Sequence, residues 1–328
     1  MHAIQVTETG GPEVLRLTEL PDPEPGPGQL LVELAAAGVN YLDTYFRSGA
    51  YPMALPFIPG SEGAGTVTAM GPDGSDGPGG FTVGDRVAWA TSFGSYAGLA
   101  VVSAEQAIPV PQGVNLETAA GSLLQGMTAH YLTVTVHPVQ LGDTVLVHAA
   151  AGGMGQLLTQ LATARGGRVI GTVSTLEKER LAREAGAVDV IRYTEMDDVA
   201  GEVRRLTGGQ GVAAVYDGVG ASTFDASLAS LRPRGMLALY GAASGRVPPV
   251  DPMRLNSAGS VFLTRPMLSH YVATRDELAW RAGEVFDAIR AGSLRISIGG
   301  RYPLAEARRA HQDLQGRRTT GKLLLLPR

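Results

Sequence analysis

Between Ala149 and Gly155 the chain reads Ala-Ala-Ala-Gly-Gly-Met-Gly, a G-x-G-x-x-G spacing with Ala150 in the first position. At this spacing Gly152 lets backbone approach a pyrophosphate, and Gly155 lets a helix pack tightly on the strand before it. The helix start that contains Gly153 and Met154 offers N–H groups and partial positive charge to phosphate. A second signal lies at the end of the next strand, where an acid would bind a ribose 2′-hydroxyl and repel a 2′-phosphate. That stretch reads Gly171-Thr172-Val173-Ser174-Thr175 and has no acid; Lys178 follows within a turn, and Tyr193 closes the third strand. The set predicts recognition of a 2′-phosphate, and so NADPH rather than NADH. Lys178 as a solvated helix residue and Tyr193 as a packing aromatic are the plainer alternatives. Glu177 is a counter-signal, offset by an expected capping box in which it reaches back across Ser174-Thr175-Leu176-Glu177.

Metal chemistry has little to work with. The 328-residue chain contains no cysteine, which removes thiolate ligands, disulfides and a cysteine nucleophile together. Its six histidines, at 2, 130, 137, 148, 270 and 311, show no metal-binding spacing. His148, inside an apolar strand, reads as a buried structural residue. His130 lacks a visible acidic partner for a general-acid role. Asp43 and Arg47, on one short segment, are expected to form a local ion pair. A net charge of −4 speaks against nucleic-acid or anionic-lipid partners. No apolar run approaches the roughly 18 residues of a membrane span, and the start MHAIQVTETGG carries no signal-like pattern, so a cytoplasmic protein is expected.

The elements that hold these residues follow from rhythm. The first ~120 residues are rich in Gly and Pro, with short apolar runs such as Gln29–Leu34 and Asp85–Trp89, the texture of a β-rich lobe. Two stretches, Pro21–Gly28 and Gly71–Gly80, read as surface loops. From Asp143 strands and helices alternate: strands are predicted at 144–149, 168–173, 188–191, 212–217, 236–241 and 259–264. Six apolar strands alternating with helices call for a doubly wound parallel sheet of the Rossmann kind. Beyond 265 an amphipathic helix over Arg275–Gly292 and a short strand at Leu323–Leu326 return to the first lobe.

Taken together, Asn40–Gly49 (NYLDTYFRSG), Pro59–Gly65 (PGSEGAG), Gly84–Val87 (GDRV), His148–Gly155, Val215–Gly220 (VYDGVG) and Thr264-Arg265-Pro266 resemble the zeta-crystallin-type quinone oxidoreductases. These form a zinc-free branch of the medium-chain dehydrogenase/reductase superfamily. The resemblance covers essentially the whole chain and implies a GroES-like catalytic domain at 1–124, a Rossmann domain at 125–264 and a return at 265–328. Where the superfamily's alcohol dehydrogenases place a zinc-binding cysteine and histidine, this chain has Asn40 and Ser61, neither a ligand zinc would choose.

The resemblance also implies the cofactor contacts. Tyr41, Leu42, Asp43, Thr44 and Tyr45, with Thr128 and Tyr131, would lie along the nicotinamide. Gly152, Gly153, Met154 and Gly155 would face the pyrophosphate. Ser174, Thr175, Lys178, Tyr193 and Arg317 would surround the 2′-phosphate, and Gly218, Tyr240, Gly241, Ala242, Ala243, Leu263, Thr264 and Arg265 the rest. Gly218, Ala242 and Ala243 stand where relatives often carry hydroxyl or amide side chains, so contacts there would be to backbone. Asn40, Tyr45 and Tyr51 are the candidates for steadying a developing oxyanion or shaping an aromatic pocket. The implied activity is metal-free hydride transfer from NADPH to a quinone. Reduction of α,β-unsaturated aldehydes or ketones is the chemical rival, and a non-catalytic crystallin-like or RNA-binding protein the rival of another class. Relatives pair edge to edge through the last sheet strand, which implies a homodimer with Arg265 near the contact.

Overall fold

The computed structural model describes residues 1–72 and 80–327. The chain divides into two compact units, one of Met1–Met127, Val272–Gly292 and Ile296–Arg328, the other of Thr128–Tyr271 with Ser293–Arg295.

In the first unit the chain runs β1 (His2–Gln5), β2 (Arg16–Glu19), β3 (Gln29–Val39), α1 (Tyr41–Arg47), β4 (Glu62–Met70), β5 (Arg86–Trp89), β6 (Leu99–Ser103), β7 (Ile108–Pro109) and α2 (Leu116–Ala120). The helix α3 (Leu123–Tyr131) leads into the second unit. There follow β8 (Thr144–Val147), α4 (Gly153–Ala164), β9 (Arg168–Val173), α5 (Leu176–Glu184), β10 (Asp189–Arg192), α6 (Val199–Leu206), β11 (Val212–Asp217), α7 (Phe224–Ser230), β12 (Leu231–Leu239), α8 (Met253–Ser257) and β13 (Phe262–Thr264). The chain then supplies α9 (Arg275–Arg290), β14 (Ile298–Pro303), α10 (Ala307–Gln315) and β15 (Lys322–Leu326).

The first unit's large sheet has the order β14-β15-β3-β4-β5-β7, with β6 also paired to β3. Residues on the early part of β3 alternate between buried and half-buried, as expected of a strand with one face on a core. That core gathers Leu30, Leu34, Trp89 and Tyr96. The C-terminal strand β15 pairs with β3, which brings Lys322 beside the residues that precede α1.

The second unit holds a six-stranded sheet in the order β10-β9-β8-β11-β12-β13, every pair parallel. This is the doubly wound dinucleotide-binding topology, with its switch point between β8 and β11. Several element ends differ from expectation: β12 begins at Leu231 and ends at Leu239 where 236–241 is expected, and β8 ends at Val147 where 149 is. The last strand covers only Phe262–Thr264, because Gly259 (φ +102°) and Ser260 (φ +55°) are left-handed and cannot continue a ladder. Likewise the helix expected over 275–292 stops at Arg290, with Gly292 (φ +74°) turning the chain. Most of the loop read at 71–80 lies outside the described residues.

Candidate active site

At the top of β8 the backbone turns sharply. Ala149 sits at φ +51°, a conformation that costs a residue with a Cβ about 1 kcal/mol or more, and its carbonyl accepts the N–H of Gly152 at 2.9 Å. A Cβ on Gly155 would lie 2.3 Å from the carbonyl oxygen of Ala149, so only glycine lets α4 approach β8 this closely. Four other helices, α2, α5, α6 and α9, begin with a side-chain cap from Asn115, Thr175, Asp198 and Thr274. Like α7, α8 and α10, α4 begins without one; its cap position is Gly152, which has no side chain to stand in an anion's way.

The end of β9 corrects one expectation. The cap of α5 is Thr175, whose hydroxyl accepts the N–H of Lys178 at 3.2 Å. Glu177 is therefore the second residue of the helix, exposed and out of place for a capping box, because the helix starts one residue later than the S-x-x-E spacing supposes. Lys178 reaches back, its Nζ donating to Ser174 Oγ at 3.3 Å. The carboxylate of the neighbouring Glu179 is taken up by Arg183 (2.8 Å) and Arg192 (3.2 Å). Tyr193 stands 41% exposed at the end of β10, its N–H on Val173. Arg317 lies in the first unit after α10, at φ +55°.

Asp217 closes β11 and organises the turn that follows it. Its carboxylate accepts Val219 N (2.8 Å) and Gly220 N (3.0 Å) together with the hydroxyls of Thr223 and Ser227. A Cβ on Gly218 would come within 2.7 Å of the Tyr240 ring, so that position can offer only backbone. Tyr131 is buried and stacked on Tyr271 at 4.2 Å with the rings 5° apart; Tyr271 carries no sequence signal of its own. Thr128 and His130 are buried on α3, Gly241, Ala242 and Ala243 are half-buried beyond β12, and Leu263 and Thr264 lie in β13 with Arg265 exposed just after it.

In the first unit α1 is anchored by two buried clusters. Asn40 caps it, with its N–H on Asp43 Oδ2 (2.9 Å). Its side chain donates to Glu62 Oε2 (3.1 Å) and accepts from Lys322 Nζ (2.6 Å), and Lys322 also holds Glu62 at 2.5 Å. The other Glu62 oxygen takes Leu124 N at 2.8 Å. The amide of Asn40 is thus engaged at both ends, an arrangement that fixes the start of α1 rather than offering a donor outward.

The second cluster overturns the direct ion pair. Arg47 donates to His311 Nδ1 (3.0 Å), the other ring nitrogen lies 3.0 Å from Tyr96 Oη, and Tyr96 donates to Asp43 Oδ2 (3.0 Å) while Ser61 donates to Oδ1 (2.8 Å). Arg47 can only donate, so Nδ1 accepts, Nε2 carries the proton, and Tyr96 passes its own hydrogen to the carboxylate. The two charges meet through two neutral side chains. Around α1 the rings of Tyr45, Phe46, Tyr51 and Phe93 form one aromatic group, with centroids 4.8 to 5.7 Å apart. Leu42 and Tyr41 are half-buried on the same helix, Tyr41 donating to the Leu314 carbonyl at 3.2 Å, and the buried Thr44 donates to the Tyr41 carbonyl.

Burial, and then the charge of Arg47, push His311 down to about 3, and burial also lowers His148. Unfolded, each would take up a proton below about 6.5. Stability is therefore complete above that pH and declines as the pH falls toward the folded value, by about 1.4 kcal/mol per pH unit for each histidine held neutral. Melting temperatures should stay level from pH 7.5 to about 6.5 and fall from there to pH 5, and His311→Gln should flatten that lower slope by about one proton. An unchanged slope in that variant would refute the assignment.

Comparison with known proteins places this geometry. The model for the alcohol dehydrogenase GroES-like domain matches residues 26–112, and that for the zinc-binding dehydrogenases matches 153–278. A quinone oxidoreductase of Pseudomonas aeruginosa is 45% identical over 326 residues, covering 99% of both chains. A 2-haloacrylate reductase of a Burkholderia species is 43% identical over 333 residues, covering 99% of this chain and 98% of its own. A mycobacterial protein solved in complex with NADPH superposes with a TM-score of 0.95 at 59% identity over the whole of both chains. The chain belongs to the quinone oxidoreductase family. Its place among the medium-chain dehydrogenases raises the question of zinc, whose name one matching model carries. Among the described residues no group of three or more His, Cys, Asp or Glu is gathered to hold a metal ion. At the position where the superfamily sets its first ligand, the only side-chain oxygen of Asn40 already bonds a buried ammonium. A dication there would meet the repulsion of Lys322 as well as a poor donor set, so zinc does not fit this quinone oxidoreductase family member.

Proposed function

We propose that this chain is an NADPH-dependent quinone oxidoreductase that delivers hydride without a metal ion. The observation that carries the reading is the end of β9: no carboxylate, an ammonium 3.3 Å from the Ser174 hydroxyl, and, after the neighbouring strand β8, the glycine-capped start of α4. Gly152, Gly153, Met154 and Gly155 would hold the pyrophosphate, and Ser174, Thr175, Lys178 and Tyr193 the 2′-phosphate. The nicotinamide supplies the hydride when bound. A quinone accepts it readily because the hydroquinone anion is delocalised, which leaves the protein to bind, orient and exclude water. Tyr45 and Tyr51 would line the acceptor and steady its oxygen, with α1 held in place through Asn40 and Asp43. The chain would act as a cytoplasmic homodimer joined along β13, where Phe262 is 58% exposed. No helix among the described residues is long and apolar enough to cross a membrane. We assign 1–124 and 265–328 to the catalytic domain and 125–264 to the dinucleotide domain.

The 2-haloacrylate reductase among its relatives supports conjugated double bonds as a second acceptor class. A panel of 1,4-benzoquinone, 9,10-phenanthrenequinone, 2-alkenals and 1-alken-3-ones, each with NADPH, decides between them. The quinones should lead in kcat/KM; a large preference for alkenals would reverse the order.

A further inference from the structure

Asp217 anchors a second buried chain, in the dinucleotide unit, that the proposed chemistry does not use. The single hydrogen of Ser227 Oγ goes to Asp217 Oδ2 at 2.7 Å. Toward His148 Nε2, 2.9 Å away, that hydroxyl can therefore only accept, so Nε2 carries the proton and Nδ1 is bare. Nδ1 lies 3.0 Å from Thr172 Oγ1, which must donate to it. With its hydrogen spent there, Thr172 presents a lone pair to the N–H of Ala149 at 3.3 Å. Ala149 is the left-handed residue of the turn before α4, and Asp217 also fixes the turn at 219–220 through two backbone N–H groups. One directional chain of donors thus runs from the first turn to the second across the ends of β9, β8 and β11. His148, Thr172, Ser227 and Asp217 are all at most 2% exposed, so water does not compete for any of these bonds.

We infer that Thr172, His148 and Ser227 are positioning residues that hold the two nucleotide-binding turns in their bound shape before NADPH arrives. This rests on the reading that those turns bind the dinucleotide. The hydroxyl of Thr172 supports the one backbone conformation in the turn that the chain would not adopt unaided, and its direction is set three residues away by the Asp217 carboxylate. Because the effect passes through the pyrophosphate turn, it is blind to the 2′-phosphate.

The test compares wild type, Thr172→Val and Thr172→Ser by nicotinamide fluorescence titration with NADPH and NADH, beside melting curves and steady-state kinetics. The valine variant keeps the shape and leaves Ala149 N and His148 Nδ1 without a partner. Its Kd should rise about tenfold for both nucleotides alike, with KM for NADPH following and kcat at saturation changing far less; serine should restore the affinity. Unaltered Kd in a valine variant that merely melts earlier would overturn the inference, as would a loss confined to NADPH. Should that variant not fold, Ser227→Ala interrupts the same chain from the other side and carries the same expectation. A wild-type protein that binds neither nucleotide would remove the dinucleotide reading itself, a different result from binding that ignores Thr172.

Discussion

Lys178→Ala should weaken NADPH binding by about 10- to 100-fold and leave NADH within about twofold. The loss is that of a charge-assisted hydrogen bond to a phosphate, roughly 1.5–3 kcal/mol. The structure sharpens the expectation, since Lys178 is drawn toward Ser174 at the end of β9 while Glu179, one residue on, is occupied by Arg183 and Arg192 and does not compete for the ammonium. Glu177 lacks the capping role that would have kept it back, so its exposed carboxylate adds some repulsion that Lys178 must outweigh. The NADPH titration of wild type should then weaken with added salt more than that of the alanine variant, because a partly exposed charge pair is screened. Fluorescence titrations with both nucleotides at fixed ionic strength measure the effect. An equal loss for NADPH and NADH would place Lys178 away from the phosphate.

Much of the dinucleotide unit was legible in the residues because its determinants are local. The strand at 168–173 and the one at 212–217 lie where their apolar runs put them, and the glycine spacing after β8 marks a turn whose geometry only glycine at 155 permits. Where local reading failed, a backbone detail decided. Ser260 at φ +55° shortened the last strand, and the hydroxyl of Thr175 rather than that of Ser174 opened α5. Neither leaves a distinct mark on composition or period.

The anchoring of α1 was not legible, for the opposite reason. Asp43 and Arg47 are four residues apart and of opposite charge, which on a helix suggests a direct pair. They are joined instead through Tyr96 and His311, the latter 264 positions from Arg47, and no periodicity reports such a partner. The one available hint was compositional. In a chain with 27 basic residues, only Lys178 and Lys322 are lysines, and the second opens an apolar strand where a charge has no evident business.

That hint leads to the largest expected effect. Lys322→Met should lower the melting temperature of the first unit by at least about 6 °C, since removing one partner of a buried ion pair costs about 3–5 kcal/mol. The pair is closed to water, Lys322 being 1% and Glu62 0% exposed, and the variant leaves the Glu62 carboxylate with only the Asn40 amide and Leu124 N–H. The expectation separates charge from packing. Lys322→Met combined with Glu62→Gln removes both charges at nearly constant volume and should regain most of the loss, whereas either change alone should not. Arginine should not substitute. A Cβ on Gly38 would approach Lys322 Cε to 2.9 Å and one on Gly121 would approach its Cγ to 3.0 Å, so the stem runs in a corridor that two glycines keep open. A planar guanidinium with five donors would need both more width and more acceptors than Asn40 and Glu62 provide. This accounts for lysine at a position where the chain's usual base is arginine. Lys322→Met melting within about 2 °C of wild type would show that the ammonium is not what holds Glu62 and the start of α1 in place.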